Sequence, residues 1–195
     1  MPRRPLLVVL AGPNGAGKST TAPFLLRDEL AVGEFVNADQ IAAGLSGFSP
    51  DAVALAAGRI MLARLRDLRR QRVDFAFEST LASRTLAPFI TAAQRAAYRF
   101  VLLYLWLDSP ARASARVAIR ARLGGHDVPR AVVARRYRRS LENFFRLYRP
   151  LADAWHFHDN SRDFSPRLIA SGRGRRATRV RDAGLWDQLS AGYDE

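Results

Sequence analysis

Gly12-Pro13-Asn14-Gly15-Ala16-Gly17-Lys18-Ser19-Thr20 carries the spacing Gly-x-x-x-x-Gly-Lys-Ser, and these residue types suit one kind of chemistry. Glycines let successive backbone N–H groups curl inward around a single anion. A helix beginning near Lys18 adds its positive N-terminal end. The Lys18 ammonium can bridge the β- and γ-phosphates of a nucleoside triphosphate, and the Ser19 hydroxyl can hold Mg²⁺. Lys18 is the only lysine among 31 basic residues; all the others are arginine. A compact ammonium on a flexible stem is a different chemical object from arginine's planar fork. The stretch therefore reads as a phosphate-binding loop, with ATP and Mg²⁺ as the implied cofactors.

Two single carboxylates close apolar runs, Asp39 after EFVNA and Glu78 after DFAF. A carboxylate at a strand end can hold Mg²⁺ through water, take a proton from a substrate hydroxyl, or grip that hydroxyl. Helix capping or plain surface acidity is the bland alternative. Asp108 sits in Asp-Ser-Pro, a capping context. His156 and His158 share one strand face, but with only His126 elsewhere they do not make up a zinc ligand set.

Arginines crowd residues 112–149, where Asp127 and Glu142 are the only acids. Arg112, Arg116 and Arg120 recur every four residues, one helical face, and Gly124-Gly125 reads as a hinge. Two arginine-bearing helices about such a hinge would form a lid. Its Arg116, Arg120 and Arg122 would neutralise a transferring phosphate, an effect of about 10³- to 10⁵-fold in rate. Arg135, Arg136, Arg138 and Arg139 read instead as solvated or partner-binding charge. Arg173, Arg175, Arg176, Arg179 and Arg181 read as a flexible basic tail within 173–195.

Such residues need a scaffold that gathers strand ends. Leu6 to Ala11 shows no polar alternation and reads as a strand buried on both faces. A helix over about 18–30 follows, then a short strand ending at Asn37 to Asp39. Ser49-Pro50-Asp51 opens a long helix ending near Arg72, and VDFAFEST reads as a strand followed by a helix. RFVLLYLWL is the strongest strand, and Ser109-Pro110 caps the next helix. The helix of residues 130–149 carries Val132, Tyr137, Leu141 and Tyr148 at core spacing, and two short strands and a closing turn or helix complete the chain. This alternation predicts an α/β fold, a parallel sheet flanked by helices, with ligands at the carboxyl ends of the strands. At 195 residues and 48% hydrophobic, the chain fits a single domain over 1–195. No apolar run is long enough to span a membrane, and MPRRPLLVVLAG is a signal-peptide imitation consumed by the phosphate loop. The chain has no cysteine, and use of ATP implies the cytoplasm.

LAGPNGAGKST, FVNADQIA, FAFESTLAS and ARVAIRARLGGHDVPRAVVARRYRRSLENF, in that order, resemble the zeta toxin family of P-loop kinases, in its short bacterial branch. The resemblance covers residues 5–172. It implies a kinase-like α/β fold, ATP with Mg²⁺, and phosphorylation of the sugar 3′-hydroxyl of UDP-N-acetylglucosamine, with an acidic antitoxin as a protein partner. Under it Asp39 matches the catalytic base, Lys18 and Ser19 the phosphate and metal residues, and Glu78 with Thr80 the substrate-binding acid and hydroxyl. Arg116 and Arg122 match two lid arginines, with Arg120 an alternative to either. The compact length, the VNADQI setting of Asp39 and the Gly-Gly-His-Asp stretch depart from the long toxins. A hydroxyl kinase is therefore better supported than the named sugar nucleotide. Two other readings stand beside it: a small-alcohol or antibiotic phosphotransferase, similar to the chloramphenicol phosphotransferases, and a nucleic-acid-binding ATPase. The net charge of +13 permits the last, but the chain carries no recognisable nucleic-acid module.

Overall fold

In the computed structural model, which describes residues 3–125, 128–162 and 165–193, strand β1 (Leu6–Ala11) leads through the glycine loop into helix α1 (Lys18–Ala22). The helix continues as a π-helical stretch over Pro23–Glu29. Pro23 has no N–H to give the preceding turn, so the hydrogen-bond ladder shifts there and the one helix expected over 18–30 is two segments. Strand β2 (Glu34–Val36) ends sooner than expected because Asn37 caps helix α2 (Ala38–Leu45). The Asn37 side-chain oxygen accepts from the N–H groups of Asp39 and Gln40 at 2.8 and 3.4 Å. A 3₁₀ turn (Pro50–Val53) precedes α3 (Ala54–Gln71). Next come β3 (Phe75–Ser79), α4 (Ala87–Arg95), β4 (Arg99–Trp106) and α5 (Pro110–Arg122). Helix α6 (Arg130–Asn143) runs through a π-helical stretch (Phe144–Tyr148) into the short α7 (Arg149–Leu151). Strands β5 (Ala154–Asp159), β6 (Arg167–Arg173) and β7 (Arg176–Val180) and helix α8 (Ala183–Ser190) follow.

The strands form one sheet in the order β2-β3-β1-β4-β5-β6-β7. Pairing is parallel from β2 to β5, and β6 and β7 add an antiparallel hairpin. The expected α/β sheet flanked by helices is thus present. Along β1, Leu7, Val9 and Ala11 enter one core layer while Val8 and Leu10 enter the other, which is why the strand shows no polar alternation. α3 and α4 cover the first layer; the α1 segment and α5 cover the second.

α6 does something the periodicity did not predict: it passes from one layer to the other. Its Val133 and Tyr137 belong to the second layer, and Phe144, Phe145 and Tyr148 just beyond it belong to the first. Along the way its side chains bond to segments leaving the carboxyl ends of the strands. Tyr137 donates to the Leu107 carbonyl, Ser140 shares a 2.8 Å hydrogen bond with the Tyr104 hydroxyl, and Asn143 donates to the Leu81 carbonyl at 2.7 Å. Tyr148 then donates to the Ser83 carbonyl at 2.6 Å.

The basic tail expected over 173–195 is folded. β7 pairs with β6, and α8 lays Trp186 against Trp155, Phe145 and the stem of the buried Arg149. Apolar burial of one indole outweighs the local arginine bias. The arginines sit exposed on the edge hairpin, where charge discourages pairing with another strand.

His156 and His158 stack on the β5 face opposite Trp155 and Phe157, with Glu29 nearby. Burial lowers the His158 pKa from 6.5 to about 4, and its buried Nδ1 has no hydrogen-bond partner among the described residues. Between those values the unfolded chain binds a proton that the folded chain refuses, so stability must fall as pH drops from 6.5 toward 4. The loss is expected to be on the order of 2 kcal/mol. Thermal melts from pH 7 to 4 should show a shallower decline for His158→Leu than for the wild type; parallel declines would contradict the assignment.

Candidate functional site

The phosphate loop depends on close backbone approach. A Cβ on Gly12, whose φ is +143°, would lie 2.2 Å from the Leu105 carbonyl oxygen. One on Gly15, at φ +76°, would lie 2.7 Å from that of Ala113. Only glycine fits both positions, and the loop therefore nests between β4 and α5. Lys18 is buried and donates to the Pro13 carbonyl at 3.0 Å, with Nζ 3.7 Å from Glu78 Oε1. Burial lowers its pKa, and the charges of Glu78 and Asp39 partly oppose that shift. A triphosphate would add negative charge here and hold the ammonium protonated.

Glu78 ties three strand ends together. Its Oε2 accepts from Ser19 Oγ at 2.7 Å and from Asn37 Nδ2 at 2.9 Å. Asn37 thereby links the N-terminus of α2, where Asp39 sits in the first turn, to the phosphate loop. These groups open onto a cleft of about 440 Å³. Lys18, Asp39, Glu78 and Thr80 form its base, with Asn14 and Gly15 of the loop beside them. Met61 and Leu62 of α3 make an apolar side, and Ser83 and Thr85 follow β3. Opposite stand Arg120 of α5 and Arg135, Arg136 and Arg139 of α6.

The arginines differ most from expectation. Arg120 lines the cleft; Arg116 and Arg122 do not. Arg116 donates to the backbone carbonyls of Asn160 and Ser161 at 2.7 and 3.0 Å, and Asn160 Nδ2 in turn donates to the Ala16 carbonyl at 2.7 Å. Arg116 thus braces the outer side of the phosphate loop. Arg135, Arg136 and Arg139, expected to be solvated, form a wall of the cleft because α6 crosses the strand ends. Gly124-Gly125 is a helix stop rather than a hinge. Gly124 takes φ +86°, its N–H reaches the Ala121 carbonyl at 3.0 Å, and Gly125 N–H reaches that of Arg120 at 2.9 Å. A Cβ on Gly125 would meet Arg120 Cγ at 2.7 Å, so the second glycine also makes room for the Arg120 stem. His126 and Asp127 lie outside the described residues. Asp108 pairs with Arg112 at 2.7 Å, which lowers its pKa, while Ser109 caps α5.

Asn37 and Asn160 were missed. Asn37 stood legibly at a cap position before Ala-Asp-Gln, and Asn160 at a strand end, where ligand-side residues collect.

Fold and site together define a P-loop kinase-like protein. The family described as AAA domain matches residues 7–144, and the chain belongs to it. An uncharacterized protein of Haemophilus influenzae is 27% identical over 130 residues, 67% of this chain and 91% of that protein. Among solved structures, a chain of the AvrRxo1-ORF1:-ORF2 complex with ATP gives a TM-score of 0.73 at 17% identity. The match covers 96% of this chain but only 64% of that one. A chain from the PezAT toxin–antitoxin system of Streptococcus pneumoniae gives 0.68 at 15% identity, over 95% of this chain and 78% of that one. At these identities the likeness is one of fold, and that fold is zeta-toxin-like.

If Arg116 braces the loop through Asn160, Arg116→Ala and Asn160→Ala should each weaken ATP binding about tenfold, as expected for losing hydrogen bonds to a charged or buried amide group. Arg116→Lys should recover part of the loss. Calorimetric titration checks this; undiminished ATP affinity in Arg116→Ala, with turnover lost instead, would restore Arg116 to a lid role.

Proposed function

We propose that this chain is a kinase that transfers the γ-phosphoryl group of ATP to a hydroxyl of a small molecule, a sugar nucleotide of the UDP-N-acetylglucosamine type. The observation that carries the proposal is a single cleft holding phosphate-loop Lys18, an acidic Asp39 and Arg120. In this reading the loop amides and Lys18 cradle the phosphates. Ser19 Oγ and Glu78 supply the hard oxygen donors that Mg²⁺ prefers, and the metal would neutralise charge on the phosphates. Asp39, exposed to the cleft at the start of α2, takes the proton of the acceptor hydroxyl, while Thr80 orients it. Arg120 meets the charge that develops on the transferred group. Little covalent work falls to the protein; positioning and electrostatics supply the rate.

Glu78 differs from what the family resemblance implies. Its hydrogen bond to Ser19 and its approach to Lys18 favour the phosphate and metal side over a purely acceptor-gripping role. The solved PezAT system and the AvrRxo1-ORF1:-ORF2 complex each include a partner protein. A net charge of +13 suits an acidic antitoxin in the same place. No helix among the described residues is long and apolar enough to cross a membrane, and dependence on ATP goes with a cytoplasmic setting.

The test is transfer of labelled γ-phosphate from ATP to UDP-N-acetylglucosamine and to a metabolite extract. Lys18→Ala should abolish transfer. Asp39→Asn should lower kcat by about 10²- to 10⁴-fold with ATP affinity little changed, because an amide cannot accept the proton. ATP hydrolysis with no acceptor phosphorylated, or an Asp39→Asn enzyme as fast as wild type, would contradict the proposal.

A further inference from the structure

The cleft holds more positive charge than one triphosphate calls for. Lys18 and Arg120 stand at the phosphate-loop end, close enough for the guanidinium to bear on the ammonium's pKa. Arg135, Arg136 and Arg139 line the same cleft, yet none has an ion-pair or hydrogen-bond partner among the described residues. Arg135 and Arg139 lie four residues apart on α6, a spacing at which like charges destabilise a helix. Surface arginines at such positions ordinarily find carboxylates; here the neighbours across the cleft are Ser83, Thr85 and Thr80.

A lid is the first reading of such a wall, and the anchoring of α6 argues against it. The buried Tyr104–Ser140 bond, the Tyr137 bond to Leu107, and the Asn143 and Tyr148 bonds to the β3–α4 segment fix the helix to both layers of the core. Arginines on a movable helix can follow a phosphate during transfer. Arginines on a fixed wall bind a group already present when the ligand arrives. The wall also faces the Ser83 and Thr85 segment, whereas the loop's own Gly15 packs against α5.

We infer that Arg135, Arg136 and Arg139 form a fixed anion-binding wall for a phosphate or diphosphate that the acceptor already carries. The wall makes acceptor charge a condition of binding, distinct from the cations that serve ATP. This deepens the kinase reading and rests on it for the word acceptor, but the site can be tested without turnover.

Protein saturated with Mg²⁺ and a non-hydrolysable ATP analogue is titrated with UDP, with N-acetylglucosamine as the uncharged control. The wild type should bind UDP and not the control. The triple change Arg135→Gln, Arg136→Gln and Arg139→Gln should weaken UDP at least tenfold and flatten its salt dependence, with analogue affinity within twofold. The corresponding triple lysine variant should recover much of the binding, which separates lost charge from lost folding. Repeating the titration on Lys18→Ala without analogue removes the phosphate loop from the comparison. No UDP binding by the wild type, UDP affinity untouched by the glutamine changes, or equal loss of the analogue would overturn the wall. Arginine-dependent UDP binding without any phosphoryl transfer would leave the wall standing and remove the kinase reading. Efficient transfer to uncharged alcohols, indifferent to the three arginines, would do the reverse.

Discussion

A single carboxylate holds the site together. Glu78 sits at the end of β3, opposite Leu10 of β1 in the parallel register, and so lies beside the residues that leave the two neighbouring strands. Ser19, Asn37 and Lys18 all turn toward it. Through Asn37 the same carboxylate sets the start of α2 and hence the place of Asp39. The buried Lys18 ammonium needs this negative neighbour, because an uncompensated buried charge costs several kcal/mol, on the order of 3–5 when one partner of a pair is removed. Phosphate chemistry and proton chemistry are thus coupled through one side chain before any ligand arrives.

Around that junction the sheet order does the remaining positioning. With β1 between β3 and β4, the loop after β1 has a carboxylate strand on one side and the α5 connection on the other. Arg116 and Asn160 support the loop from the α5 and β5 side. α6 closes the carboxyl edge as a beam between the two core layers, so the arginines on its open face border the cleft. The rigidity of that beam comes from phenol, hydroxyl and amide bonds to backbone and buried side chains, not from its arginine-rich surface.

Much of this was legible in the residues. β1 and β4 announce themselves as unbroken apolar runs, because parallel strands are buried on both faces. The phosphate loop and the strand-end carboxylates Asp39 and Glu78 follow from spacing and from where such sheets keep their ligands. What escaped notice depends on tertiary contact. Local periodicity describes the faces of α6 but says nothing of its crossing from one layer to the other, so Arg135, Arg136 and Arg139 looked solvated. Arg116 and Arg120 share a helical face, yet one reaches the β5 turn and the other the cleft, a difference set by partners 44 residues away in the chain. The arginine-rich end looked flexible because charge masked the anchoring Trp186.

The most direct test of the Glu78 junction is calorimetric ATP binding with and without Mg²⁺, comparing wild type with Glu78→Gln. If the carboxylate joins Ser19 and Lys18 on the metal and phosphate side, Mg²⁺ should strengthen ATP binding in the wild type. Glu78→Gln should lose most of that gain while its Mg²⁺-free affinity stays within a few-fold, about 1 kcal/mol. A glutamine variant that keeps the full Mg²⁺ effect and suffers only in its hold on the acceptor would contradict the account.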